Sequence, residues 1–222
     1  AMSKYYIESL SKADVITYDL GMNYFAKDDM DKHWDFLRNP DAKLATQWEA
    51  LDSYTNGGFL KKGRMLALFM AQAGLGKSVF LSNLAVNFLK QNMSVVVISL
   101  EMSQDVYAQR FDAHISKKNI NRLRESESAA RERLAEFYEK YPDANLFIKE
   151  FPPRSVTTNH IDAYLEKLKN AGNRIDVVIV DYLNLVLPNK ASDSMFKDGM
   201  SVSEELRALS YKYEVPVISA TQ

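Results

Sequence analysis

The sequence predicts an α/β fold: a mainly parallel central sheet flanked by helices, preceded by a small helical N-terminal segment. Three observations carry this. Short apolar runs and amphipathic stretches alternate from Gly57 onward, one run feeds a glycine-containing loop that opens a helix, and two others end in a carboxylate. The chain has 222 residues, 46% hydrophobic and 26% charged, enough to bury a substantial core. Its 28 basic and 29 acidic residues leave a formal charge of −1, so no net basic field draws in nucleic acid or an anionic membrane. Any nucleic-acid contact has to come from a local patch or loop. With no Cys there is neither a disulfide framework nor a thiolate metal site. No apolar run approaches the roughly 20 residues of a membrane helix. The start, Ala-Met-Ser-Lys-Tyr-Tyr, has no apolar signal-peptide core. A soluble, cytoplasmic chain is expected.

Residues 1–46 form the first expected unit, a helical or linker segment. Its Asp28–Leu37 stretch has helical spacing through Met30, Trp34 and Leu37, and Asn39-Pro40 marks a break. It is either an appendage on its own small core or a linker that docks on a neighbouring subunit. Residues 47–222 form the second unit. Gly57-Gly58 and Gly63 punctuate its entry, and Met65–Met70 is a continuous apolar strand. The next helix carries Leu81, Leu84, Ala85, Phe88 and Leu89 on one face. Val95–Leu100 reads as a buried strand, and Gln104–Ser116 as a helix with Tyr107, Phe111 and Ile115 four apart. Ser126–Tyr141 is a polar helix of mixed charge. Leu146–Phe151 is a short strand ended by Pro152-Pro153, and Thr157–Ala171 a helix striped by Ile161, Tyr164, Leu165 and Leu168. Val177–Asp181 is a strand, Pro188–Met200 a polar loop, Ser201–Tyr213 a helix and Val215–Ala220 a last strand. Gln222 falls at a strand end, so the fold is expected to continue beyond it.

The chemistry concentrates in Ala71-Gln72-Ala73-Gly74-Leu75-Gly76-Lys77-Ser78, between an apolar strand and an amphipathic helix. That context is the one a phosphate-binding P-loop requires. Backbone amides from Ala73, Gly74, Leu75, Gly76, Lys77, Ser78 and Val79 are candidates to face one concavity, aided by the positive end of the helix. Gly74 and Gly76 allow a tight turn and close approach to phosphate oxygens. Lys77 offers a point charge for the β- and γ-phosphates, and the Ser78 hydroxyl a ligand for Mg²⁺. The plain alternative is a glycine turn with a surface lysine.

Two carboxylates follow strands on the edge where α/β sheets bind ligands. Asp181, after four β-branched residues, has the place of a Mg²⁺-supporting aspartate, or of a helix cap or turn residue. Glu101 is the candidate general base that orients water, or a solvated strand-end charge. Gln222 ends a fourth strand there and is either a γ-phosphate sensor or a polar strand end. Arg110 reads as a nucleotide contact or a surface ion pair. Lys190 and Lys197, in the Pro188–Met200 loop, are a possible nucleic-acid contact or simple loop residues. His33, His114 and His160 lack metal-binding spacing.

Taken together, Ala-x-x-x-x-Gly-Lys-Ser ending at Ser78, Ser99-Leu100-Glu101-Met102 with Arg110 downstream, Val180-Asp181-Tyr182-Leu183, and Val215-Pro216-Val217 with Thr221-Gln222 resemble the motor domain of DnaB-family replicative helicases. Arg110-Phe111-Asp112-Ala113 and Glu204-Glu205-Leu206-Arg207-Ala208-Leu209 are similar to the T-even-like bacteriophage branch. The resemblance covers about residues 47–222. It implies a RecA-like ATPase core working as a homo-hexameric ring on single-stranded DNA, using ATP and Mg²⁺. It implies a primase and a helicase loader as partners, no membrane, and a bacterial host cytoplasm if the gene is a phage's. It gives Lys77 and Ser78 the P-loop roles, Glu101 the catalytic base, Asp181 the Mg²⁺ support, Arg110 a nucleotide contact and Gln222 the γ-phosphate sensor. It puts the arginine finger and main DNA loop beyond Gln222, so the 222 residues alone are expected to be a weak ATPase and no helicase. A RecA-type recombinase shares much of this pattern, and a nucleotide-gated regulator or loader is the rival of another class. Duplex unwinding against strand exchange separates the first pair, and DNA-stimulated turnover separates motor from regulator.

Overall fold

A computed structural model describes residues 21–39 and 42–222. The Pro40 break and the first twenty residues of the N-terminal segment lie outside the described residues. The chain divides into two compact units, Ala1–Pro40 and Asp41–Gln222. In the first, helix α1 spans Lys27–Arg38, with Asp28 and Asp29 in its first turn and Arg38 in its last, signs that suit the helix dipole. None of its residues is buried.

The second unit opens with a small antiparallel pair, β1 (Lys43–Leu44) and β2 (Phe59–Leu60), joined through helix α2 (Glu49–Tyr54). Gly58 there has φ +109°, and a Cβ on it would lie 2.1 Å from the Leu44 carbonyl oxygen, so no other residue fits. The Asp52 carboxylate accepts from the Thr46 amide and hydroxyl, both at 2.7 Å. Asn87 and Gln91 then donate to the Thr46 and Ala45 carbonyls, fastening this entry to the first large helix.

The main sheet holds β3 (Leu66–Met70), β4 (Ser94–Ser99), β5 (Asn145–Glu150), β6 (Val177–Asp181) and β7 (Val217–Thr221), all parallel, in the order β3-β7-β6-β4-β5. The crossover helices are α3 (Lys77–Leu89), α4 (Gln104–Ser116) followed by α5 (Glu127–Lys140), α6 (Thr158–Asn170) and α7 (Met195–Tyr213). Period-two alternation sorts the strand side chains. Val95, Val97, Val177, Ile179 and Ile218 join Leu84, Phe88, Tyr107 and Phe111 of α3 and α4 in one core. Val96, Ile98, Val178, Val180 and Val217 join Ile161, Leu165, Val202 and Leu206 of α6 and α7 in the other. Every residue of β4 and β6 is buried, as expected for strands covered on both faces. Each large side chain so buried contributes about 1.5–3 kcal/mol.

Two boundaries differ from the sequence reading: the compact units divide after Pro40 where a division after residue 46 is expected, and a helix start moves. Helix α7 starts at Met195, inside the expected Pro188–Met200 loop, so Lys197 is helical. Its first turns expose Met195, Phe196 and Met200, and burial begins only at Val202, so no apolar stripe announced them. The parallel sheet matters most for function: β3, β4, β6 and β7 all deliver their C-terminal ends to one edge.

Candidate nucleotide site

The loop after β3 turns through Gly74 (φ +77°) and Gly76 (φ +83°). A Cβ at either would meet nothing closer than 3.9 Å, so glycine is required by backbone conformation and not by space. Gly76 is the N-cap of α3, and no side chain caps that helix. Its first-turn amides therefore have no intrahelical acceptor, and they carry the positive end of the helix dipole. Ala73, Gly74, Leu75, Gly76 and Val79 are exposed around this mouth, while Lys77 and Ser78 are buried at its floor. Lys77 Nζ lies 3.4 and 3.3 Å from the Ala71 and Gln72 carbonyl oxygens, long contacts that hold it loosely. It also sits 5.2 Å from the centre of the Tyr182 ring, a cation–π distance.

Asp181 ends β6, in register with Ser99 of β4, and its carbonyl accepts from the Leu100 amide at 2.8 Å. The strand pairing thus sets Asp181 beside Glu101. The Asp181–Tyr182 peptide is cis. Asp181 is fully buried, yet neither carboxylate oxygen has a hydrogen-bond partner of normal geometry among the described residues. Burial raises its pKa; the nearby Ser78 hydroxyl lowers it, Glu101 raises it, and Tyr107 and Arg110 lower it. The same pocket leaves the Tyr107 hydroxyl and one Arg110 guanidinium nitrogen buried and unpartnered. Burial, Asp181 and Glu101 all push the Tyr107 phenol well above its usual range, against Arg110. Arg110 forms no ion pair among the described residues.

Glu101 is exposed just past β4. Gln222 is exposed past β7, where its amide donates to Asn184 Oδ1 at 3.3 Å and the Thr221 hydroxyl donates to the same oxygen at 3.0 Å. The Ala71 amide in turn donates to the Thr221 carbonyl at 3.1 Å, joining the Gln222 strand end to the start of the P-loop. Lys77 and Ser78 open α3, Asp181 ends β6, and Glu101 and Gln222 follow β4 and β7, all at one sheet edge, while Arg110 lies midway along α4. No cluster of three or more His, Asp or Glu with metal-binding geometry exists among the described residues, so the edge is not a closed protein cage for a cation. Sequence reasoning missed Tyr107, Tyr182 and Asn184 as members of this edge. Tyr107 was visible only as one residue of an apolar stripe.

The chain as a whole is similar to known proteins. The profile of the DnaB-like helicase C terminal domain matches residues 43–222. The DnaB-like replicative helicase of Enterobacteria phage T4 is 27% identical over 214 residues, 93% of this chain and 45% of that protein. The replicative DNA helicase DnaB of Helicobacter pylori strain J99 is 28% identical over 181 residues, 81% of this chain and 36% of that protein. The chain thus spans less than half the length of these relatives. Among solved structures, the ATPase domain of G40P superposes with a TM-score of 0.72 at 22% identity, covering 88% of this chain and 70% of that one. A DnaB-like replicative helicase, described with its interactions with primase, gives 0.68 at 22% identity, covering 89% and 48%. The two superpositions establish a shared RecA-like fold.

Proposed function

Since the chain belongs to the DnaB-like helicase C-terminal domain family, we propose that it is the ATP-hydrolysing motor of a replicative DNA helicase, a homo-hexameric ring that moves along single-stranded DNA and unwinds duplex. The observation that carries the reading is the buried, unpartnered Asp181 carboxylate beside Ser78, on the same sheet edge as the uncapped P-loop helix. An ionised carboxylate without partners is costly to bury, and it is tolerated where a cation is to be received. Asp181 and the Ser78 hydroxyl suit Mg²⁺, which when bound would neutralise charge on the β- and γ-phosphates.

The chain's own groups then divide the work. The uncapped amides of the α3 N-terminus and Lys77 hold the phosphates, and Lys77 exchanges its loose carbonyl contacts for phosphate oxygens. Exposed Glu101 orients the attacking water and accepts its proton. Gln222 contacts the γ-phosphate and, through Asn184 and the Ala71–Thr221 bond, links that contact to the loop after β6. Arg110 contacts the nucleotide from beneath. A primase and a helicase loader are the further partners this reading assigns, in a bacterial host's cytoplasm.

Lys77→Ala tests the site. ATP binding should be abolished, and unchanged ATP affinity by calorimetry would overturn the P-loop assignment. DNA-stimulated ATP hydrolysis and forked-duplex unwinding by the assembled ring test the motor. Turnover indifferent to DNA would move the reading to a nucleotide-gated regulator, and strand exchange without unwinding to a recombinase.

A further inference from the structure

Three polar groups that act on one another electrostatically have buried atoms with no hydrogen-bond partner among the described residues: both oxygens of Asp181, the Tyr107 hydroxyl and a nitrogen of Arg110. The function proposed above uses Asp181 and Arg110 and leaves Tyr107 unexplained. Tyr107 is fully buried on α4, packed with Phe111 in the larger core at a ring distance of 5.7 Å. A phenylalanine would fill that place without burying a hydroxyl, whose desolvation without a partner costs about 1–3 kcal/mol. Asp181 and Glu101 are the carboxylates that face this hydroxyl, and Arg110 is the cation that faces it. With carboxylates as its charged neighbours the phenol can act only as a donor to them, yet among the described residues it has no hydrogen-bond partner in the resting protein.

We propose that Tyr107 is a positioning residue: when the nucleotide and its cation bind, its hydroxyl, unpartnered in the resting protein, donates to one oxygen of Asp181 and fixes the carboxylate so that its other lone pairs face Ser78 and the cation. Outer hydrogen-bond partners of metal-holding carboxylates fix ligand orientation in this way. Placing the donor on α4 has a structural logic. That helix, Gln104–Ser116, also carries Arg110 and begins three residues after Glu101.

The inference rests on reading Asp181 as the Mg²⁺ residue, and the test separates the two. A fluorescent ADP analogue is held at fixed concentration with the chain while Mg²⁺ is varied, and the analogue is titrated in a second series in EDTA. Tyr107→Phe should raise the Mg²⁺ midpoint by roughly 10- to 100-fold, leave binding in EDTA unchanged, and, without nucleotide, melt at or above the parent temperature because a hydroxyl that is unpartnered in the resting protein is gone. An unchanged Mg²⁺ midpoint overturns the proposal. So does a loss of folding or a fall in melting temperature, which would make the hydroxyl structural. Asp181→Asn is measured alongside. If it abolishes Mg²⁺ dependence while Tyr107→Phe does not, only the positioning role fails. If Mg²⁺ dependence survives Asp181→Asn, or the parent chain binds no nucleotide, the underlying reading fails with it.

Discussion

The two ends of strands β4 and β6 are built on opposite principles. At their N-terminal ends every polar group is answered. The Asp176 carboxylate accepts from the Ser94 amide at 2.7 Å and pairs with Arg174 Nε at 2.8 Å. The Ser94 hydroxyl donates to the Arg174 carbonyl, and Arg174 itself donates to the backbone carbonyls of Asn92 and Asp143. Near their C-terminal ends the buried Asp181 and Tyr107, and one buried nitrogen of the partly exposed Arg110, have no hydrogen-bond partner among the described residues. The strands, packing and burial are shared, so neither a weak core nor a loose sheet accounts for the contrast. A satisfied network closes the fold at one edge, and an unsatisfied one keeps the other ready for a charged ligand.

The contrast is sharpened first by Glu101→Gln. It should keep nucleotide binding and lose turnover by roughly 10²-fold or more, measured as steady-state ATP hydrolysis; lost binding would make Glu101 structural instead. Next in size, Asp176→Ala should cost about 1.5–3 kcal/mol of stability, because it strands a charged hydrogen-bond partner. Denaturant melts would show this while nucleotide affinity stays put. A matching loss of affinity would blur the division between the two edges.

Smallest is Asp181→Asn without nucleotide. Burial raises the native Asp181 pKa above its unfolded value, so the carboxyl's contribution to stability is complete below the unfolded value and lost as pH rises through the native one. The variant should therefore gain on the parent as pH rises from about 4 toward 7. Each kcal/mol of relieved penalty would appear as roughly 2–4 °C in Tm. A variant that melts lower at pH 7 would mean that Asp181 is already satisfied in the resting protein.

Much of this was legible in the sequence because it depends on local pattern. Val95–Leu100 and Val177–Asp181 announced themselves as β-branched runs, and Gly74, Gly76, Lys77 and Ser78 by spacing between a strand and a helix. The small β1–β2 pair was not legible, since two-residue strands have no periodicity to read. Nor was the start of α7, whose first turns bury nothing. Arg110 could be named but not decided, because whether a helical arginine meets solvent or a buried carboxylate depends on how α4 lies over β6. Tyr107 was hidden for a related reason: its ring obeys the apolar stripe, and only its buried, unpartnered hydroxyl departs from it.

The most direct measurement is the melting temperature of the chain with ATP and Mg²⁺ in about 100-fold excess over Kd, set against the nucleotide-free chain and against Lys77→Ala. Binding to the native state alone should add about 2.7 kcal/mol, roughly 5–11 °C for a protein of this size, and Lys77→Ala should erase the gain. An unmoved Tm, or an equal rise in Lys77→Ala, would contradict the claim that the unsatisfied edge of the sheet is the nucleotide site.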